Sequence, residues 1–99
     1  MISLEGVFDL HLHALPDLTV RNGDELTFAK QCKEVGMVGF AVKNVLESTV
    51  NRARYVNMMV PGFNYVGGIC LNYTVGGINP TAAEACLQQG GRIVWMPSG

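Results

Sequence analysis

The feature that most constrains the fold of this chain is a regular alternation of apolar, β-branched runs with stretches that carry helix start and stop signals. Four runs have the character of strands: Val7–Leu12, Met37–Val42, Phe63–Leu71 and Arg92–Met96. They are nearly continuous in apolar residues, which is typical of strands covered on both faces. Strands that alternate with helices pair in parallel through right-handed crossovers. We therefore predict an α/β domain with four parallel strands and three helices.

Residues that commonly cap or terminate helices indicate where the three helices are expected to begin and end. Asn22 can cap the first helix while Glu25, three positions later, reaches back to form a capping box. Gly36 can supply the left-handed residue that ends this helix. The second helix is expected to begin near Ser48 or Thr49 and to end at Pro61-Gly62. The third is expected to begin at Asn79-Pro80 and to end at Gly90-Gly91.

Size and charge limit the classes of function. The 99 residues make a single domain, residues 1–99, and its net charge of -1 comes without a basic stripe. This balance argues against nucleic acid or an anionic membrane as a partner. Glycine, asparagine and proline interrupt the long uncharged stretch, so no apolar span could cross a bilayer. The odd, widely spaced cysteines Cys32, Cys70 and Cys86 suit a reduced, cytoplasmic, soluble protein.

The first strand carries a candidate metal site at Asp9, His11 and His13, which include the only two histidines of the chain. Alternate residues of a strand project from one face, so these three side chains are expected to lie together. Two imidazoles at this spacing can lean onto one cation, and a neighbouring acid can bind the cation or orient an imidazole. Zinc is the leading divalent metal, and manganese, iron and nickel are alternatives that two imidazoles do not distinguish from it.

The alternative is that the pair is an ordinary set of surface histidines, since a bare His-x-His pattern is weakly specific. Glu5 and Asp17 flank the strand and could add a ligand, although a solvated surface role suits each acid better. No residue is assigned as general base.

If the sheet is parallel, the residues after each strand meet at one rim. Lys43, Asn44 and Asn72 would join the histidines there and form a site for a small polar or anionic substrate. Lys43 could anchor a carboxylate or phosphate, or bind metal as a carbamate, but a surface lysine extending its stem from an apolar strand is favoured. Asn72 is better explained as a residue that satisfies loop backbone.

The stretch Asp9-Leu10-His11-Leu12-His13 resembles the first-strand signature of the amidohydrolase superfamily and of the related polymerase-and-histidinol-phosphatase-type phosphoesterases. The later part of the chain resembles an amidohydrolase-related family, and the similarity extends from Val7 onward. Its most specific motifs are Gly67-Gly68-Ile69-Cys70-Leu71-Asn72, Val75-Gly76-Gly77-Ile78-Asn79-Pro80 and Ile93-Val94-Trp95-Met96-Pro97.

This resemblance implies half of a TIM-type (β/α)₈ barrel, since a full barrel needs about 250 residues. It implies His11 and His13 as metal ligands, Asp9 as a supporting partner, and a metal-dependent hydrolase that is incomplete as a single chain. Lys43 does not match the carbamylated lysine, which such enzymes place on the fourth strand. The alternative is a catalytically inactive metal-binding or interaction fragment that needs a partner chain. The exposed edge strands of a half-barrel also suggest a homodimer that closes the barrel.

Overall fold

The computed structural model describes residues 3–15 and 23–97. Three helices alternate with short parallel strands, so the predicted α/β class, the three helices and the parallel pairing are confirmed. In chain order the elements are β1 (Phe8–Leu12), α1 (Glu25–Glu34), β2 (Gly39–Val42), α2 (Val50–Met59), β3 (Asn64–Val66), β4 (Gly68–Cys70), a 3₁₀ turn (Tyr73–Val75), α3 (Pro80–Gln88) and β5 (Ile93–Trp95).

The third predicted strand is divided in two at Gly67, so the described residues form five strands rather than four. β3 pairs with β2 in a sheet of order β1-β2-β3, whereas β4 pairs with β5 in a second sheet. A Cβ at Gly67 would lie 2.7 Å from Val50 Cα, so the start of α2 presses against the chain at this point. Beside β3 the place of a neighbouring strand is taken by Asn57, whose side-chain amide exchanges two hydrogen bonds with the backbone of Tyr65. Within the described residues the two sheets do not close into a barrel.

The helices cover one face of the strands. Phe40 and Val42 of β2 and Tyr65 of β3 pack into a buried cluster with residues of α1 and α2. Ile69 of β4 and Val94 of β5 pack against a second cluster that includes Cys86 of α3. Consecutive strands joined by right-handed crossovers in one direction place every helix on the same side. The opposite side, which we call the open face, carries the alternate residues of the same strands.

Aromatic rings from the two outer strands lie over glycines of the inner strands on the open face. A Cβ on Gly39 would stand 2.6 Å from Cε2 of Phe8, and one on Gly68 would stand 2.9 Å from Cζ3 of Trp95. At both positions a backbone carbonyl lies closer still, Asn64 O at Gly39 and Ile93 O at Gly68, so neither could carry a side chain without moving the adjacent strand as well as a ring. The small inner residues let the large outer residues fold inward over the sheet.

Helix ends follow the predictions in all but one case. Asp24, not Asn22, caps α1, because its Oδ1 accepts a hydrogen bond from Thr27 N at 2.7 Å; Asn22 lies outside the described residues. The predicted capping box is wrong, since the Glu25 carboxylate bonds to Tyr65 and Arg52 instead.

The C-terminal end of α1 is confirmed. Gly36 has φ +86°, its N–H donates to Lys33 O, and the N–H of Met37 donates to Cys32 O. This is the Schellman arrangement, in which a left-handed residue satisfies the last carbonyls of a helix. Thr49 and Asn79 occupy the N-cap positions of α2 and α3, as predicted. No helix among the described residues is long and apolar enough to cross a membrane.

Candidate metal centre

His11 and His13 come together at the carboxyl end of β1. Their Nε2 atoms are 3.0 Å apart, and their ring centroids are separated by 5.0 Å with the planes tilted by 57°. His11 is exposed and His13 is half-buried. The sequence-based expectation that these two side chains converge is therefore met.

The separation of the two nitrogens suits chelation of one cation. Two nitrogens 3.0 Å apart, each about 2.0–2.1 Å from a zinc ion, subtend an angle of about 95° at the metal. This angle lies between the right angle of octahedral coordination and the wider angle of a tetrahedron. A neutral pair could instead share one proton in an N–H···N hydrogen bond, because each imidazole has a donor and an acceptor nitrogen. The pair thus fits two coordination positions of a divalent metal.

The described residues do not complete a ligand set. Within 3–15 and 23–97, no group of three or more histidine, cysteine, aspartate or glutamate side chains lies close enough to hold a metal ion. Glu5 is exposed and precedes β1, whereas the histidines lie at its other end. Asp17, the other flanking acid, lies outside the described residues.

Asp9 does not share a face with the histidines, because β1 contains a bulge. Asp9 pairs with Phe40 and Leu12 pairs with Val42, so β1 advances three residues while β2 advances two. Registered residues of parallel strands share a face, so Asp9 and Leu12 both lie on the helix side, with Phe40 and Val42. The Asp9 carboxylate accepts a hydrogen bond from His11 N at 2.9 Å, and its charge helps to raise the pKa of Cys32 on α1, an effect due mainly to burial.

The extra residue reverses the alternation between Asp9 and His11. The predicted common face for positions 9, 11 and 13 is therefore wrong, although a role for Asp9 in supporting a metal stays a prediction. Leu10, which the period-2 pattern assigns to a buried face, is 64% exposed at the bulge.

Lys43 lies next to the histidine pair and is buried. Its backbone N–H donates to Leu12 O at 2.8 Å, so the parallel ladder continues one residue beyond β2 and sets Lys43 beside His13. Because Val42 faces the helices, alternation places Lys43 on the open face, where His11 and His13 lie. The side chain is only 8% exposed, which contradicts the favoured interpretation of a surface lysine.

Asn44 and Asn72 are also buried at strand ends, and both contact loop backbone. Asn44 Oδ1 accepts hydrogen bonds from Leu46 N and Glu47 N, which orders the connection into α2. The backbone carbonyl of Asn72 accepts from Val75 N and Gly77 N in the loop after β4. The side chain of Asn44 therefore has a structural role, whereas the contacts of Asn72 are those of its backbone, and the part of both residues in substrate binding stays a prediction.

Trp95 is the functional candidate that sequence reasoning missed at this site. Its ring centroid is 6.2 Å from that of His11, although β5 and β1 belong to different sheets. These two side chains therefore approach each other across the open face at its carboxyl end. The register pairs Trp95 with Cys70 and Gly68 with Ile93, so the Trp95 ring reaches Gly68 diagonally across the two strands, and this contact can be recognised only once the register is known.

A buried ionic network on the helix side was also missed. Glu25 is 4% exposed; its carboxylate accepts from the Tyr65 hydroxyl at 2.6 Å and from Arg52 at 2.8 Å, and Arg52 also binds Glu47. Burial raises the pKa of Glu25 against the opposing effect of these hydrogen bonds. Burial and the adjacent Glu25 charge likewise raise the pKa of Tyr65. A tyrosine inside a buried strand requires a partner for its hydroxyl, which is the only sequence signal for the network.

Two clefts lie away from the histidines. One of about 390 Å³ lies between α2 and the connection from α3 to β5 and is lined by Arg54, Asn57 and Arg92 among others. The other, of about 410 Å³, lies between α1 and the end of α2. Neither cleft contains His11, His13 or Lys43, so it is the chemistry of the side chains, rather than cavity size, that selects the candidate site.

Comparisons with known proteins give one relationship. The profile of a family described as "Family of unknown function (DUF6282)" matches residues 6–99. No curated protein and no solved structure matches the chain. The matched range covers β1 through β5 and includes every residue of the candidate site. The chain therefore belongs to the DUF6282 family.

Proposed function

We propose that this chain is a metal-dependent hydrolase domain of amidohydrolase or phosphoesterase type, in which His11 and His13 bind one divalent cation, with zinc as the leading candidate. The observation that carries the proposal is the 3.0 Å separation of the two Nε2 atoms at the carboxyl end of a parallel strand. Chemistry in α/β proteins concentrates at this end of the sheet. The substrate is a small molecule with an ester, amide or phosphoester group.

The arrangement of the strands supports a half-barrel as the framework for this function. The strands follow one another in chain order and every helix covers the same side, as in a (β/α)₈ barrel and unlike a doubly wound sheet. Phe8 and Trp95 fold inward over Gly39 and Gly68, which favours a curved sheet. The open face would then correspond to the inside of the barrel, and the histidines to its catalytic rim.

Each residue near the rim has a distinct part in this proposal. A bound divalent cation would supply Lewis-acid polarisation of a carbonyl or phosphoryl oxygen and a lowered pKa for water. His11 and His13 would hold the cation through their ring nitrogens, and the Trp95 ring beside His11 would limit access of bulk water to it. No described residue is assigned as general base, so this part of the mechanism is left open.

The experiment that tests the proposal is turnover by the metal-loaded chain. Purified protein is loaded with zinc or manganese and assayed against panels of esters, lactones, amides and phosphoesters, with and without a chelator. We expect hydrolysis that the chelator and His11→Ala both abolish. Gln31→Ala, an exposed change on α1, serves as the matched control and should retain activity. Hydrolysis that persists in His11→Ala would contradict the proposal.

A second candidate is a catalytically inactive metal-binding domain that requires a partner chain. It is favoured by the incomplete ligand set among the described residues. A second copy of the chain is one such partner: β1 and β5 each lie at an edge of their sheets, and pairing β1 of each copy with the last strand, β5, of the other would arrange the sheets of both copies in a ring. Stoichiometric metal binding without any turnover would support this candidate over the first.

A further inference from the structure

We infer that Lys43 forms a subsite for an anionic group, so that the ligand of the open face is a compound bearing a phosphate or a carboxylate. The inference rests on the proposed function, because it names the class of substrate that the histidine pair would act on. It is carried by the burial and position of Lys43, neither of which depends on a bound metal.

Lys43 is only 8% exposed as a residue, and no described residue accepts a hydrogen bond from its ammonium group. Its Nζ is not one of the described side-chain atoms that are both fully buried and without a partner, so the ammonium keeps a small opening to solvent through which an external anion could reach it. A buried charge is unfavourable unless it is paired or hydrogen-bonded. Lysines on apolar strands normally extend their charged end into water, which leaves a larger exposed fraction. Lys43 therefore keeps a cation in a sheltered position that an external anion could neutralise.

Three acids in the described part of the chain are engaged elsewhere. Glu25 and Glu47 both bind Arg52 on the helix side, and Asp9 lies on the helix side of β1, where it accepts from His11 N. Residues of the open face next to Lys43 are His13 and His11, neither of which carries negative charge. Among residues 3–15 and 23–97, the local charge at this end of the sheet is thus neutral to positive, which favours an anion.

The geometry places the anion beside the reacting group. Lys43 and His13 are neighbours on adjacent strands, where side chains on one face stand about 4.7–4.9 Å apart at the backbone. If Lys43 holds the phosphate or carboxylate of a ligand, a bond that lies one or two atoms from that anionic group would be next to the histidine pair. Lysine binds such groups as a point charge, so both anions are compatible with the subsite.

The test is an anion titration of the full, metal-free chain, followed by NMR through the ¹H–¹³C signal of the lysine side chains. Inorganic phosphate is the probe in one arm and succinate in the other. We expect saturable shifts of the Lys43 Cε signal in wild-type protein, and in Lys43→Met a loss of affinity of about tenfold or more. Lys30→Met, which removes an exposed lysine from α1, is the matched control and should leave affinity unchanged.

Each outcome separates this inference from the proposed function. Absence of a saturable Lys43 shift with either anion, or equal affinity in Lys43→Met, overturns the subsite. If Lys43→Met does not fold, the wild-type Lys43 signal alone decides, since it needs no variant. Anion binding that depends on Lys43 in a chain that binds no metal would retain the subsite and overturn the metal-dependent hydrolase. Metal binding without a response of the Lys43 signal to either anion would overturn the subsite and leave the metal-dependent hydrolase standing.

Discussion

Thr49 joins the two sheets through one hydroxyl, and its replacement by valine provides a quantitative test of the fold. The side chain is fully buried at the N-cap of α2. Its Oγ1 donates to Val42 O at 3.1 Å, lies 3.3 Å from Gly68 O, and accepts from Gly68 N at 3.0 Å. The end of β2, which precedes Lys43, is thereby fixed against the start of β4. Valine has nearly the same shape but cannot make these hydrogen bonds.

The expected cost follows from the groups that lose a partner. Thr49→Val takes away the hydrogen-bond partner of one buried N–H, that of Gly68, and of one buried carbonyl, that of Val42. Each such group costs about 1–3 kcal/mol when it is left unsatisfied. We expect the free energy of unfolding to fall by about 2–4 kcal/mol, a large share of the total of about 5–15 kcal/mol typical of a small domain.

Urea unfolding followed by circular dichroism measures this change, and Thr49→Ser provides the control. Serine keeps the hydroxyl and loses one methyl group, so it should cost only about 1 kcal/mol. A valine variant as stable as wild type, or less perturbed than the serine variant, would refute the role assigned to the hydroxyl.

Three further predictions concern the ionic network and the strand edges. Tyr65→Phe removes the 2.6 Å hydrogen bond to the buried Glu25 carboxylate and should lower the free energy of unfolding by about 1.5–3 kcal/mol in urea titrations; an unchanged midpoint would contradict this. Burial raises the pKa of Glu25 in the folded state above the ordinary 4.5, so the folded chain takes up a proton at a higher pH than the unfolded chain does. The unfolding free energy of wild type, measured relative to that of Glu25→Gln, should therefore increase as the pH falls from the raised pKa toward 4.5. A difference between the two proteins that does not change with pH would argue against a buried, ionisable carboxyl. If two copies close a ring of strands, light scattering coupled to size-exclusion chromatography should give twice the chain mass of 10.7 kDa, and a stable monomer would count against closure.

Local signals in the sequence are sufficient to locate the helices and most of the strands. Apolar periodicity with Gly36, Thr49 and Asn79 as punctuation gives the helix ends because these depend on residues close in the chain. The break at Gly67 was not predicted, since it arises from the approach of Val50, which is distant in sequence. The start of α1 was misplaced for a related reason: Glu25 is used by a long-range network, and Asp24 takes the cap.

The candidate site could be predicted only in part. The convergence of His11 and His13 follows from a two-residue spacing, which survives in the structure. The position of Asp9 could not be predicted from its spacing, because the bulge in β1 depends on pairing with β2 and is not visible in the local sequence pattern. The burial of Lys43 likewise depends on tertiary packing, which a rule for isolated lysines does not include, so that rule predicts the wrong exposure.

The most direct test of the metal-site proposal is the stoichiometry of metal binding by the purified chain. Cobalt absorption spectroscopy and isothermal titration with zinc should give one ion per chain, with binding lost in His11→Ala and in His13→Ala. Asp9→Ala should weaken metal binding without abolishing it, since the Asp9 carboxylate lies on the helix side of β1 and reaches the histidines only through the hydrogen bond that it accepts from His11 N. A chain that binds neither cation, or whose affinity is unchanged when both histidines are replaced, would contradict the metal centre.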